Sequence, residues 1–245
     1  MNLGFITFVN RDPKYLELAN ILVESVLRFT NLPIEVNGIN FDYKHKSDRV
    51  ISKKLNVNPE NFATICFSKI EAYMTTNFDY AVGMDADCIV LPEIINIFNK
   101  QNYLKMGNYI LPPIHPQDPK DCEALCNFFG TRQTQPYIHA DIFLLGQKSK
   151  SFLQEVYDNC YAAYRNKIRI GNVDESVLNV TLWKHKLTEH YLPLYDPYYE
   201  IWLDSTESKI PTNIPKDMFK RENYMIVHGC KEPEIAKVIL DSITR

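Results

Sequence analysis

The sequence has no excess of basic charge. Its 27 Lys and Arg stand against 30 Asp and Glu, a formal net charge of −3 over 245 residues. That balance excludes the clustered positive footprint of a nucleic-acid or anionic-membrane binder. Lys44-His45-Lys46 and Lys53-Lys54 are short and read as solvated surface. No apolar run has the length of a membrane span. The opening MNLGFITFVN lacks a basic leader region, and its apolar character stops at Asn10-Arg11-Asp12, so it reads as a strand and not as a signal peptide. The six cysteines (Cys66, Cys88, Cys122, Cys126, Cys160, Cys230) show no paired zinc-ligand spacing; Cys122 and Cys126, one helical turn apart, come nearest. They are expected as buried thiols in a reducing, cytoplasmic setting. Internal repeats, low-complexity tracts and linkers are absent, so one domain over 1–245 is expected.

What is present is a globular composition, 45% apolar and 23% charged, arranged as alternating strands and helices. Leu3 to Val9 reads as a strand. Asp12-Pro13 is a helix-start signal, and Leu16, Ala19, Leu22, Val23, Val26 and Leu27 give Tyr15–Phe29 helical periodicity. Strands are expected over Ile34–Ile39, Ala63–Phe67, Asp79–Met84, Tyr109–Leu111, Ile142–Leu145 and Tyr224–Val227. Helices are expected over Ser47–Leu55, Lys69–Thr75 (capped by Ser68), Pro92–Phe98, Phe152–Tyr164, Glu175–Leu182 and Glu232–Ile243. This alternation predicts an α/β fold with a mixed, mostly parallel central sheet flanked by helices. Such sheets place ligands beyond the carboxyl ends of their strands.

FDYAVGMDADCIVLPE, residues 78–93, puts two carboxylates at such an end. In an extended segment, Asp85 and Asp87 would point to one side. Two adjacent carboxylates repel unless a cation lies between them. A divalent metal such as Mg²⁺ or Mn²⁺ meets that need and keeps positions open for substrate phosphates. The alternative is a solvated turn, but such turns more often carry Gly, Asn or Pro.

Phe78-Asp79-Tyr80-Ala81-Val82-Gly83-Met84-Asp85-Ala86-Asp87-Cys88-Ile89-Val90 resembles the DxD segment of GT-A glycosyltransferases, above all the glycogenin-like and galactosyltransferase-like retaining group, glycosyltransferase family 8. Other segments follow in the family's order. Phe8-Val9-Asn10 with Tyr15 resembles its nucleotide-binding opening, and Ser68-Lys69 its helix-start lysine. Asp174-Glu175-Ser176-Val177-Leu178-Asn179 is similar to its D-Q-x-x-L-N segment, with Glu175 in place of glutamine. Val227-His228-Gly229 with Lys231 resembles a compressed H-x-x-G-x-x-K segment. His139-Ala140-Asp141 stands where the family has Asn-Ser/Ala-Gly.

The resemblance implies a GT-A fold with a nucleotide-binding half over 1–110 and an acceptor-binding half over 111–245. It implies transfer of a sugar from a nucleoside-diphosphate sugar, a UDP-sugar, to a hydroxyl on a sugar, protein or lipid, with retention. Asp85, Asp87 and His228 would hold Mn²⁺ or Mg²⁺. Phe8, Val9, Asn10, Tyr15, Lys69, Ala86 and Lys231 would bind the nucleotide and its phosphates. Asp141, Asp174 and Glu175 would face the reacting sugar.

Each residue also has a plainer reading. His228 suits a structural hydrogen bond, Lys69 and Lys231 an exposed surface, and Asp174 a helix N-cap. The aromatics Tyr191, Tyr195, Tyr198, Tyr199 and Trp202 suit a self-packed loop as well as a sugar groove. Asn179-Val180-Thr181 matches a glycosylation acceptor but falls in a helix. Two rivals stand beside the transferase. A sugar-1-phosphate nucleotidyltransferase would carry a Gly-rich loop after the first strand, where Asn10-Arg11-Asp12-Pro13 stands here. A catalytically silent nucleotide- or sugar-binding module would keep the scaffold without the chemistry.

Overall fold

The computed structural model describes residues 1–58, 60–99, 122–134, 137–138, 140, 142–146, 149–186, 198–200 and 225–243. In chain order the strands are β1 Leu3–Val9, β2 Ile34–Ile39, β3 Val50–Leu55, β4 Tyr80–Met84, β5 Ile89–Val90, β6 Ile142–Gly146, β7 Tyr198–Glu200 and β8 Ile226–His228. The helices are α1 Pro13–Phe29, α2 Phe62–Thr75, α3 Asn96–Asn99, α4 Glu123–Phe128, α5 Ser149–Arg165, α6 Val173–His185 and α7 Pro233–Ser242, with a 3-10 turn over Pro92–Ile95. The architecture is α/β, with a mostly parallel central sheet flanked by helices. The expected strand Tyr109–Leu111, and Tyr191, Tyr195 and Trp202, lie outside the described residues.

The chain divides into two compact units, each drawn from separated segments. One unit holds Leu3–Asn56, Met84–Asn102 and the described part of Tyr195–Arg245. Here β1, β2 and β3 run parallel, with Phe5 opposite Ile34 and Ile34 opposite Val50. Helix α1 starts where Asp12 Oδ1 accepts the Lys14 N–H at 2.9 Å and Pro13 supplies a preset φ. It buries Leu18, Ala19, Leu22, Val23 and Val26, each contributing roughly 1–3 kcal/mol of apolar transfer. A second, three-stranded sheet places β8 between β5 and β7. The β5–β8 pair is antiparallel and β7–β8 is parallel. Ile21 and Leu18 of α1 pack with Ile89, Val227, Ile235 and Ile239, and Ser25 Oγ accepts the Val90 N–H at 3.1 Å.

Within Ser47–Leu55, expected as a helix, Val50–Leu55 forms strand β3 instead. A nine-residue window fits both periods, and pairing with β2 decides the outcome. Glu35 is 2% exposed and needs a cation. Lys53 Nζ reaches its Oε2 at 2.8 Å only from an extended neighbour. The lysines also blunt an edge strand.

The other unit holds Met1–Asn2, Val57–Gly83 and the described part of Tyr103–Leu194. Helices α2, α5 and α6 pack on one another, with Phe67 edge-on to Tyr161 at 5.3 Å between ring centroids. Strand β4 neighbours β6. Ala63–Phe67, expected as a strand, is helical. Asn61 and Thr64 form a reciprocal capping box that starts α2, and this local nucleus overrides the β-branched run. Ser68 is therefore not a cap. It sits mid-helix, where its hydroxyl donates back to Thr64 O at 3.2 Å.

Candidate functional site

Two polar clusters contain most of the residues singled out from the sequence, one in each unit. In the unit with β5 and β8, the chain leaves β4 at Met84 and turns at once. The Cys88 N–H donates to Asp85 O at 3.2 Å, closing a turn over Asp85–Cys88. This corrects the extended geometry expected for Asp85-Ala86-Asp87: across a turn, residues i and i+2 need not share a face. The carbonyl of Asp87 accepts the Cys230 N–H at 3.3 Å, and the Leu91 N–H donates to Met225 O at 2.8 Å. These bonds lay the end of β8 along the turn. His228 Nε2 consequently lies 3.6 Å from Asp87 Oδ1, both side chains being about one-tenth exposed.

The ligand atoms of Asp87, Cys88 and His228 all lie within 4.8 Å of one another. They are the metal-capable group among the described residues, and Asp85 does not join it. At 3.6 Å the carboxylate and imidazole are past hydrogen-bond reach, yet two metal–ligand bonds of about 2.0–2.2 Å span that gap with one ion. The donor set thus fits a divalent cation. Gly229 follows at φ +77°, a conformation open to glycine, and carries the chain to exposed Lys231. Cys230 is buried, and burial together with the Asp87 charge pushes its thiol up to about 12.

At the carboxyl end of β1, Phe8 is half-buried and Val9 is in the core. Asn10 Oδ1 accepts the Asp12 N–H at 3.0 Å, so its side chain shapes the turn into α1. Tyr15 is exposed. Arg11, which the sequence reading did not assign to the site, bonds Asn40 O at 3.0 Å and stacks over Phe41.

In the other unit, Lys69 points from mid-α2 to the first turn of α6. Its Nζ is 2.9 Å from Asp174 Oδ2 and 3.0 Å from Ala140 O. Both side chains are nearly excluded from solvent, at 5% and 7% exposure. Neither of the plain expectations for these residues holds: Lys69 is not a surface lysine, and the N-cap position of α6 belongs to Asn172 rather than Asp174. Burial pushes the Asp174 carboxyl up, against the pull of the Lys69 ammonium.

Glu175 Oε2 accepts the Ala140 N–H at 2.9 Å, and its Oε1 accepts from Asn172 Nδ2 at 3.1 Å. Asn179, fully buried, grips Ile138 through both its amide oxygen and nitrogen at 2.8 Å. Helix α6 thus clamps the main chain at Ile138 and Ala140. The sequence names Asn179 only as the last residue of the Asp174–Asn179 segment and gives it no role; a polar residue on a helix face this apolar was the available signal. Asp141 and His139 lie outside the described residues.

No family model and no curated protein matches the sequence. Solved structures do match the fold. A galactosyltransferase, LgtC, crystallised with donor and acceptor sugar analogs, aligns over 100% of this chain and 97% of its own, with a TM-score of 0.58 and 14% identity. The bifunctional glycosyltransferase WbbM, in its apo form, aligns over 93% of this chain at TM-score 0.58 and 13% identity. The chain corresponds to 45% of WbbM's length. The fold is therefore that of the GT-A glycosyltransferases. Among the described residues no helix is long and apolar enough to cross a membrane.

Proposed function

We propose that this chain, as one domain over 1–245, is a metal-dependent glycosyltransferase that moves a sugar from a UDP-sugar to an acceptor hydroxyl with retention. The observation that carries the reading is the meeting of Asp87 and His228, distant in sequence, at 3.6 Å in a donor set suited to a divalent cation. Glycosyltransferases as fold neighbours, one of them solved with donor and acceptor analogs, support it. Asp87 and His228 would hold Mn²⁺ or Mg²⁺, with Asp85 one turn residue away. When bound, the cation neutralises charge on the leaving diphosphate. The carboxylate and imidazole would orient the ion, and Ala86, in the turn between the two aspartates, would offer backbone to the diphosphate. The carboxyl end of β1, with Phe8, Val9, Asn10 and Tyr15, would receive the base and ribose, as strand ends in parallel sheets do, and Lys231 would reach phosphate.

For Asp174 and Glu175 the packing supports a positioning role: Glu175 accepts the Ala140 N–H, and Asp174 holds Lys69, which bonds the Ala140 carbonyl. Engagement of Lys69 by Asp174 favours a second reading, a binding module that keeps nucleotide affinity without turnover.

One experiment separates the two. UDP-sugar hydrolysis is measured with and without Mn²⁺ on wild type and Asp87→Ala, alongside thermal shifts with a panel of nucleotide sugars. The transferase predicts Mn²⁺-dependent turnover that the variant loses. A true donor at a hundred times its Kd stabilises by about 2.7 kcal/mol. Stabilisation without turnover in wild type selects the module. Neither stabilisation nor turnover with any nucleotide sugar removes both.

A further inference from the structure

Cys88 has the profile of a packing residue: it adjoins the apolar pair Ile89-Val90 and is 1% exposed. Its place in the sheet is more particular. Ile89 lies opposite Val227 and Val90 opposite Ile226, and continuing that register sets Cys88 opposite His228. Opposed residues of an antiparallel pair hold their Cβ atoms about 4.5–5.5 Å apart. The Cys88 main chain is fixed by its bond to Asp85 O. Its sulfur, a carboxylate oxygen of Asp87 and a ring nitrogen of His228 fall within one 4.8 Å set. At tetrahedral angles, bonds of about 2.3 Å to sulfur and about 2.0–2.2 Å to nitrogen or oxygen set the donors about 3.6 Å apart, so side-chain adjustments of about an ångström close the set.

We propose that Cys88 is a third protein ligand, making this a carboxylate–thiolate–imidazole centre that takes a thiophilic divalent cation, Zn²⁺ or Co²⁺, through a bond that Mg²⁺ and Mn²⁺ do not use. The inference rests on the reading of Asp87 and His228 as metal ligands. On binding, Sγ forms a bond to the metal and its proton leaves to solvent; no electron is transferred. Soft sulfur favours zinc-like ions, whereas oxygen donors suit manganese and magnesium. Zn²⁺ therefore competes with Mn²⁺ for the centre. Cys230 is not the sulfur source: it belongs to the apolar cluster with Ile235 and Ile239 and lies outside the three-residue set.

The test is Co²⁺ titration of the full chain, followed by absorption. Wild type is expected to show a near-ultraviolet thiolate-to-cobalt band. Cys88→Ser abolishes the band and weakens Zn²⁺ binding by more than the roughly 10–100-fold that losing an outer-shell partner costs, while Cys230→Ser keeps the band. X-ray absorption at the zinc edge on wild type needs no variant, and should show a sulfur neighbour at about 2.3 Å. Metal uptake without sulfur overturns the thiolate and leaves the Asp87–His228 reading standing. A cobalt band that survives Cys88→Ser overturns it too. Absence of any stoichiometric uptake removes both.

Discussion

The two polar clusters differ in how their charge is settled. Around Lys69 the chain supplies both signs: the ammonium meets the Asp174 carboxylate at 2.9 Å and donates a further hydrogen bond to the main-chain carbonyl of Ala140. Around Asp87 it supplies a carboxylate and an imidazole 3.6 Å apart, with a thiol beside them. The first arrangement is closed by its own cation and acts as an internal fastener. The second has the composition of a seat for a cation from outside. Motifs that look alike as strings, a lysine beside a helix and an acid beside a turn, thus end in opposite roles. Which role each takes depends on what the neighbouring element brings.

The sharpest way to break this contrast is to remove one side of the buried pair. Asp174→Ala leaves the Lys69 charge without its counterion and is expected to cost about 3–5 kcal/mol in urea unfolding, with the thermal shift caused by Mn²⁺ unchanged. The double variant Lys69→Met/Asp174→Leu should recover most of that loss. A large change in metal response would show the two clusters to be one. Next in size is Asp87→Ala, expected to lower Mn²⁺-dependent UDP-sugar hydrolysis by about 10²–10³-fold with little change in unfolding free energy.

Gly83→Ala probes the frame around the first cluster. A Cβ there would come within 2.6 Å of the Tyr73 ring, and overpacking of this kind costs roughly 1–3 kcal/mol, measured by thermal melting. The smallest effect expected is from Asn61→Ala. It removes the cap of the helix that carries Lys69, at about 1 kcal/mol, and should leave the metal response untouched.

Where local chemistry decided the structure, the sequence was readable. Asp12-Pro13 marks the start of α1, and the apolar runs of β1 and β2 have the bounds expected of them. Where a partner decided, it was not. Val50–Leu55 takes its form from β2 and from the demand of buried Glu35, neither visible in a short window. Ala63–Phe67 reads as a strand by residue type, yet Asn61 and Thr64 had already started a helix. Moving that helix start back by seven residues changes Lys69 from a terminal cation to a mid-helix one, which is why its partner is Asp174.

The convergence of Asp87 with His228 was anticipated from the resemblance. Cys88 was passed over because a lone cysteine entering an apolar strand carries no signal until the β5–β8 register puts an imidazole across from it.

Strand β5 is two residues long, and β8 is its antiparallel neighbour. A ribbon that short has no standing of its own. Asp87 and His228 are far apart in sequence and are brought together beside this short ladder. A substitution that splits the ladder would part them without touching either donor, so the proposed cation seat is expected to fail before the larger parallel sheet does.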